Sequence, residues 1–413
     1  MFSAITKEFF MNTPTYTTTK TFLFAALIAA LFGPLCVDAS AGWEEETMLV
    51  SLKGDQTIVQ GVKNKDVLFS DKDPQEAFVW AMNKGMITVI RPGHYFVSKS
   101  IEIPRDAVTL IVEEGAKIEM DKDSKQATGV AFHYGASKRL AQYLMPIIHV
   151  KCRNNVRILF FGKLIGKGFA KSELRPYPCQ TMGITFDGRD GGNIGVNGGY
   201  LLQGGQTVDF IDTRGVQVPI AVSGAGTMIG LEGSDDIHIG MVANLVPENV
   251  KDTGQQVDRR GWPFDTPPPK AFRRTGECVD LNSANSNIFV DLLIAENGHE
   301  LVDANGSSVE VKELISLGES AKLMCFTFGA GTRCSDRHGK VPADHLSIGR
   351  AVQYEHVSSV KRIMQVPKFP EAFPKFDVTA AIKVTLGDGS KKTFSKTVTI
   401  DVEKPIDYPV PEE

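Results

Sequence analysis

The stretch "VDLNSANSNIFVDLLIAENGHELVDANGSSVEVKELISLG", residues 279 to 318, carries one pattern twice. Val279-Asp280-Leu281-Asn282 returns as Val302-Asp303-Ala304-Asn305, 23 residues later, and each copy leads into an alternating run. In those runs Ile288 and Val290 match Val309 and Val311 at a spacing of 21. A repeat of about 22 residues is the period of architectures built from stacked units. Further back, "IGLEGSDDIHIG" (229 to 240) reads as an earlier copy, with Leu231 matching Leu281 and Ile237 matching Ile288. Its larger offset, 50 or 51 residues, reads as one repeat plus a loop inserted at about 246–275, a stretch rich in proline and charge and without periodicity.

Outside this region the chain behaves alike. "VIRPGHYFVSKSIEIPRDAVTLIVEEGAKIEM", residues 89 to 120, holds short apolar runs at Tyr95 to Val97, Ile101 to Ile103 and Val108 to Val112, each closed by a break. Runs of this length with period-two alternation are strands, and the series continues with Gly, Asn, Asp and Ser between them. The fold class expected is all-β, as a single coil of three short strands per turn in which each turn completes the hydrogen bonding of the next. Only "DPQEAFVWAMNKG" departs from it. Asp73 suits an N-cap, Pro74 the first helical position, Glu76 a capping box and Gly85 the end, so a helical N-terminal cap is expected there. At the other end "AIKVTLGDGSKKTFSKTVTIDV" reads as a β-hairpin around Gly387-Asp388-Gly389, with Ile382, Val384 and Leu386 facing Phe394, Val398 and Ile400.

"FLFAALIAALFGPL", residues 22 to 35, follows Lys20 and precedes Ala39-Ser40-Ala41, the pattern of a secretory signal cleaved near Ala41. Three segments are therefore expected: a signal peptide at 1–41, a β domain at 42–375, and a C-terminal hairpin and tail at 376–413. The destination is secreted or periplasmic, with no membrane attachment after cleavage. Cleavage leaves five of six cysteines, without the spacing of a zinc site; Cys325 and Cys334 are placed to close a short loop in an oxidising compartment, or all five are buried apolar groups. A formal charge of −4 without polybasic clusters argues against a nucleic-acid partner.

The capped helix followed by "ITVIRPGHYFVSKSIEIPRDAVTLIVEEGAKIEM" resembles the opening of pectate-lyase-like right-handed parallel β-helix proteins. The resemblance is by motif from Asp73 to Met120 and by periodicity to about Gln365. It implies a single-stranded right-handed parallel β-helix, a pectin-lyase-like solenoid. That superfamily holds polysaccharide lyases, glycoside hydrolases, sugar epimerases and virion tailspikes, so the resemblance implies an extended carbohydrate partner and no particular chemistry. Asn297-Gly298-His299-Glu300 and Lys361-Arg362-Ile363 only approximate the Gly-His-Gly and Arg-Ile-Lys of polygalacturonases, and adjacent Asp235 and Asp236 are too common a pair to decide the matter.

Several residues can carry chemistry. Val279 and Leu281 should face inward, so Asp280 faces outward with Asp303 beside it on the next strand, about 4.8 Å away. Two carboxylates so close make an acid and base pair, a calcium site, or simply two solvated repeat positions. The 246–275 loop supplies Arg259, Arg260, Lys270, Arg273 and Arg274 with Trp262 and aromatic neighbours. Cations among aromatic rings suit an acidic polysaccharide, with Arg259, Trp262, Arg273 and Arg274 as binding candidates and Arg260 and Lys270 as groups to remove or stabilise a proton alpha to a uronate carboxylate. His238, between Ile237 and Ile239, is a further general-base candidate, and His299 lies close to Asp303 in sequence. The reading favoured at this level is a polysaccharide lyase. A glycoside hydrolase and a non-catalytic glycan-binding protein are the alternatives. "VSGAGTMIG" lacks the glycine spacing of a dinucleotide loop, and its glycines, with Gly230, read as turn residues.

Overall fold

The structure, a computed structural model, describes residues 42–120, 130–133, 141–165, 181–188, 196–204, 208–223, 229–245, 278–282, 285–296, 301–305, 307–318, 325–326 and 345–406. The chain divides after Gly42 into two units, of which the second, Trp43–Glu413, carries every element below. The signal expected at 1–41 and the Cys325–Cys334 pairing lie outside what is described. Among the described residues no helix is long and apolar enough to cross a membrane.

Two large sheets share the chain by alternation. In the repeat region a short strand of one sheet is followed by a long strand of the other: Val208–Ile211 then Thr213–Ser223, Ile229–Glu232 then Asp235–Asn244, Val279–Asn282 then Ser286–Glu296, Val302–Asn305 then Ser308–Leu317. The long strands extend a twelve-stranded sheet that continues through Val196–Gly204, Val156–Phe160, Thr109–Val112 and Ile87–Ile90 to Thr47–Lys53, all parallel. The short strands join Thr181–Asp187, Ala141–Lys151 and Ile101–Glu102 in a nine-stranded sheet. Val279 pairs with Val302 and Ile288 with Val309, so the repeat does set the register between neighbouring strands.

The expected single right-handed coil is corrected by the rest of the topology. The strands form separate sheets, parallel and antiparallel, five when the antiparallel pair Val130–His133 and Ala141–Lys151 is counted by itself, and no single solenoid. The third sheet, Gly93–Val97, Ala116–Met120 and Lys163–Ile165, has three strands only. The twelve-stranded sheet ends in an antiparallel meander, Thr47–Lys53, Gln56–Gly61 and Val67–Asp71. A repeat specifies which residue lies beside which; it carries no information about strands of other period added at either end.

The C-terminal segment departs further. Lys375–Leu386 and Lys391–Asp401 pair as a hairpin with Ile382 opposite Phe394 as expected, but Val398 and Ile400 stand opposite Val378 and Phe376, not Val384 and Leu386. Val357–Gln365 adds a third antiparallel strand. This sheet covers a face of the twelve-stranded sheet: Phe369, Phe376, Ile382 and Ile400 share a core with Ile87, Ile111, Leu159, Met241, Ile294 and Ile315. Arg157 Nη2 donates to the Lys404 carbonyl at 2.9 Å and Arg91 Nη1 to that of Phe369 at 3.3 Å. Strands of the covered region are therefore buried on both sides, as in Thr109–Val112 and Val156–Phe160.

Four adjacent long strands change phase at one level to meet this cover. Their residues facing the main core step by two and then by three: Val216, Val218, Ala221; Ile237, Ile239, Val242; Ile288, Val290, Leu293; Val309, Val311, Leu314. From the step onward, Ile220 and Met241 within it and Ile294 and Ile315 after it belong to the core shared with the C-terminal sheet. Before it, the outward positions Gln217, His238, Phe289 and Glu310 are half-buried or exposed.

The helix Pro74–Lys84 starts and stops as expected, with the Asp73 side chain accepting from the Gln75 amide at 2.9 Å and the Gly85 amide donating to the Ala81 carbonyl at 2.8 Å. Glu76 does not close a capping box, because the Asp73 amide donates to Asp71 Oδ1 and Glu76 pairs with Lys99. Ala77, Phe78, Ala81 and Met82 enter the main core.

Buried hydroxyl and amide groups tie successive strands together where the chain passes from the short strand to the long one. Asn285 Oδ1 accepts from the Ser234 amide at 2.9 Å, and its Nδ2 reaches the Leu231 carbonyl at 3.2 Å and Ser307 Oγ at 3.0 Å. Ser234 Oγ in turn lies 3.1 Å from Thr213 Oγ1, and none of the four side chains is exposed to solvent. Substituting Asn285→Ala strands the Ser234 amide and the Leu231 carbonyl, at about 1–3 kcal/mol per unsatisfied group. Urea titration is expected to give a lower midpoint with an unchanged slope; an unchanged midpoint would mean that the ladder contributes nothing.

Candidate functional site

Strand pairing draws one row of residues across the nine-stranded sheet. Asp280 stands in strand Val279–Asn282 between Val279 and Leu281, both in the main core. Following register partners from strand to strand gives Glu102, His149, Thr185, Asp209, Gly230, Asp280, Asp303 and Phe326. Adjacent members stand about 4.8 Å apart along the sheet. Asp280 and Asp303 are thus direct neighbours in register, as the repeat implies.

The described side chains of this row are polar and closely packed. His149, Thr185 and Asp209 are buried, and so is Asp187, two residues beyond Thr185. His149 Nε2 lies 3.5 Å from Asp187 Oδ2, an arrangement that lets the carboxylate orient the imidazole. Asp209 leans across its neighbour: a Cβ placed on Gly230 would lie 2.3 Å from Asp209 Oδ1. Gly230 is therefore a mid-strand residue of Ile229–Glu232 and not the turn glycine expected from sequence.

His149, Thr185, Asp187 and Asp209 were not identified from the sequence. A signal for Asp209 exists, since Val208-Asp209 repeats the dipeptide of Val279-Asp280 and Val302-Asp303. The intervening copy, Ile229-Gly230, interrupts that series.

The other predicted residues fall elsewhere. Arg259, Arg260, Trp262, Lys270, Arg273, Arg274 and His299 lie outside the described residues. His238 belongs to the twelve-stranded sheet and is not brought to Asp280. Its Nε2 lies 3.4 Å from Asp291 Oδ1, while Lys396 of the C-terminal sheet reaches Asp291 Oδ2 at 3.2 Å. Asp235 and Asp236 are held by Arg214, with Nε 3.4 and 3.1 Å from their respective Oδ2 atoms, and by Asn287 Nδ2, which donates to both at 3.1 and 3.0 Å. These ion pairs join neighbouring strands and, through Lys396, two sheets.

Calcium was expected at Asp280 and Asp303. The side chains of both lie outside the described ones; among the described residues no three His, Cys, Asp or Glu groups converge as metal ligands.

No protein-family model matches the chain. No curated protein matches it either. Among solved structures, a provisionally assigned glycosyl hydrolase from Parabacteroides merdae aligns over 68% of this chain and 88% of its own, with 13% identity and a TM-score of 0.25. At that score the likeness defines neither fold nor activity.

Burial works to raise the Asp291 carboxyl, but the hydrogen bonds and charges of His238 and Lys396 outweigh it and hold the group below the ordinary aspartate value. A carboxyl depressed by folding adds stability above its unfolded value and loses it as the pH falls through the folded one. Asp291→Asn should therefore be less stable than wild type near neutrality, by no more than about 1 kcal/mol for so exposed a pair. Thermal melts from about pH 7 to about pH 2 should show the two proteins converging at the acid end. A constant gap would assign the effect to something other than charge.

Proposed function

We propose that this chain is a carbohydrate-active protein that binds an extended polysaccharide across the nine-stranded sheet and hydrolyses it by carboxylate chemistry. The observation that carries the reading is the register row His149, Thr185, Asp209, Gly230, Asp280 and Asp303, one position per strand and all but Gly230 polar. The row places Asp209, Asp280 and Asp303 one or two strands apart in register. Glycoside hydrolysis needs such a pair: one carboxyl donates a proton to the glycosidic oxygen as the bond to the anomeric carbon breaks. The other attacks that carbon or takes a proton from the water that does, and the proton is returned when the first group is recharged. Separations of about 5–5.5 Å and about 6.5–9.5 Å serve the two stereochemical courses.

The row supplies carboxylates and one imidazole, the groups that glycoside hydrolysis uses as acid, base or nucleophile. Hydrolysis is the chemistry that those groups perform directly. Delivery to a secreted or periplasmic destination, where polysaccharides are met, fits the apolar run at residues 22 to 35.

Incubation of the protein with neutral and acidic polysaccharides should release new reducing ends without ultraviolet-absorbing unsaturated uronate. Asp280→Asn is expected to lower turnover by about 10²–10⁴-fold. Ultraviolet-absorbing products would replace hydrolysis with elimination, and binding without any product would leave a glycan-binding protein.

A further inference from the structure

Charge is unevenly shared along this chain. The whole sequence carries a formal charge of −4, yet residues 357–401, which make the C-terminal sheet, hold eight Lys or Arg side chains against four Asp or Glu. Strand register shows where the excess goes. Phe376, Val378, Ala380, Ile382 and Val384 of the central strand lie in the core shared with the twelve-stranded sheet, so the residues between them stand on the outer face. Register partners across the three strands then place Lys361, Lys383 and Thr393 in one outer row, and Ser359, Thr385 and Lys391 in the next. All three lysines are exposed.

Two features of these rows lack a structural purpose. Lys361 and Lys383 stand directly opposite each other on the same face, and like charges so placed destabilise an antiparallel pair. Lysines on edge strands do guard a sheet against pairing with other chains, which accounts for Lys361 and Lys391. Lys383 belongs to the central strand, whose two edges are already paired. Nor are these cations neutralised: among the described residues, none of the three lysines forms an ion pair with a carboxylate. The carboxylates of the outer face are engaged elsewhere, Asp377 Oδ1 accepting from Thr399 Oγ1 at 2.6 Å and Asp401 Oδ2 lying 3.8 Å from Lys404 Nζ. Lys396, on the inner face of the same sheet, does have its partner in Asp291. Beside the unpaired lysines the edge strand exposes a line of hydroxyls, Thr393, Ser395, Thr397 and Thr399.

We propose that the outer face of the C-terminal sheet is a binding surface for an anionic polysaccharide. Lys361, Lys383 and Lys391 meet its carboxylate or sulfate groups, and the neighbouring Ser and Thr hydroxyls meet its sugar hydroxyls. A cluster of ammonium groups that opposes folding and has no internal counter-charge is what a polyanion neutralises. The partner is a glycan because this face lacks the equipment for other polyanions. Its register rows hold no aromatic ring on which bases stack and no arginine for bidentate phosphate contact, since Arg362 shares its row with inward-facing Ile382. Half-buried Ile363 is the one large apolar side chain in those rows, too little to enter a bilayer. The proposal goes beyond hydrolysis at the nine-stranded sheet: it concerns another sheet, and it holds the chain against a polymer without cleaving it.

The test measures binding of the full chain to immobilised polygalacturonate and dextran sulfate at about 50 and about 200 mM salt. Methyl-esterified polygalacturonate, uncharged on the same backbone, is the comparison polymer. Wild type should bind a charged polymer, more weakly at the higher salt, and bind the ester at least 10-fold less tightly. Replacing Lys361, Lys383 and Lys391 together by Gln should weaken binding about 10-fold or more, while the melting temperature stays level or rises because the opposed charges are gone. Removing the same charge elsewhere, by Gln at exposed Lys53, Lys65 and Lys117, should leave the affinity within about 2-fold. If the first triple variant loses the wild-type melting transition, Lys383→Gln decides alone, with a loss of about 3-fold expected. Binding to neither charged polymer, equal binding to the ester, an unchanged affinity in the first variant, or an equal loss in the second overturns the proposal. Tighter binding to duplex DNA or to phosphatidylglycerol vesicles than to either glycan overturns the choice of a polysaccharide. Release of reducing ends, followed separately, keeps the two readings apart: hydrolysis with no effect of these lysines on binding removes this proposal alone, and binding through them without hydrolysis removes only the other.

Discussion

Parallel backbone pairing decides which residues of this chain become neighbours. Side chains 21 to 23 residues apart in the repeat, and others separated by a long loop, meet because the hydrogen bonds between parallel strands admit one register at a time. A slip of one residue would turn Val279 and Leu281 outward, so the apolar face enforces the register that the ladder completes. The buried contacts of Thr213, Ser234, Asn285 and Ser307 act at the same level from strand to strand, and each requires its neighbours to be in place. The polar row follows from the pairing alone.

A second constraint comes from the C-terminal sheet. It removes one face of the twelve-stranded sheet from solvent, and the long strands answer by changing phase after Val218, Ile239, Val290 and Val311. A regular strand cannot be apolar on one side for half its length and on both sides for the rest without such a step or a change of composition. Here both occur: Ile294 and Ile315 follow the step and are apolar, whereas the outward residues before it, His238 and Glu310, are polar. The ion pair between Lys396 and Asp291 sits at the border between these two regimes.

How much of this can be read from the amino-acid sequence depends on whether the signal is local and repeated. The register of Val279 with Val302 is legible because both copies keep the same spacing, and the helix Pro74–Lys84 is legible because Asp73, Pro74 and Gly85 mark its ends. Asp209 was hidden by Gly230, which breaks the Val-Asp series at the copy between them, and by the 71 positions that separate it from Asp280. The several sheets were not legible, since a period defines neighbours and leaves open how strands outside the repeat are added. Contiguous apolar runs such as "VRILF" at 156 to 160 do announce burial on two faces, but nothing in them says that Phe376 and Ile382, more than two hundred residues later, supply the cover. His149 and Asp187 carry no repeat at all, and only the fold brings them within reach.

The late position of that cover gives the molecule a difficult birth. Ile87 and Ile111 emerge from the ribosome long before Phe369 and Phe376, and at about 5–20 residues per second the interval is on the order of 15–60 seconds. Throughout it, a growing parallel sheet presents a broad apolar face whose proper occupant has yet to be made. Nascent chains in that condition stick to one another or to chaperones. The order of segments along the chain thus makes the last-synthesised strands the ones that end this exposure, and ribosomes that stall before residue 357 would release a product already folded in part and prone to aggregate.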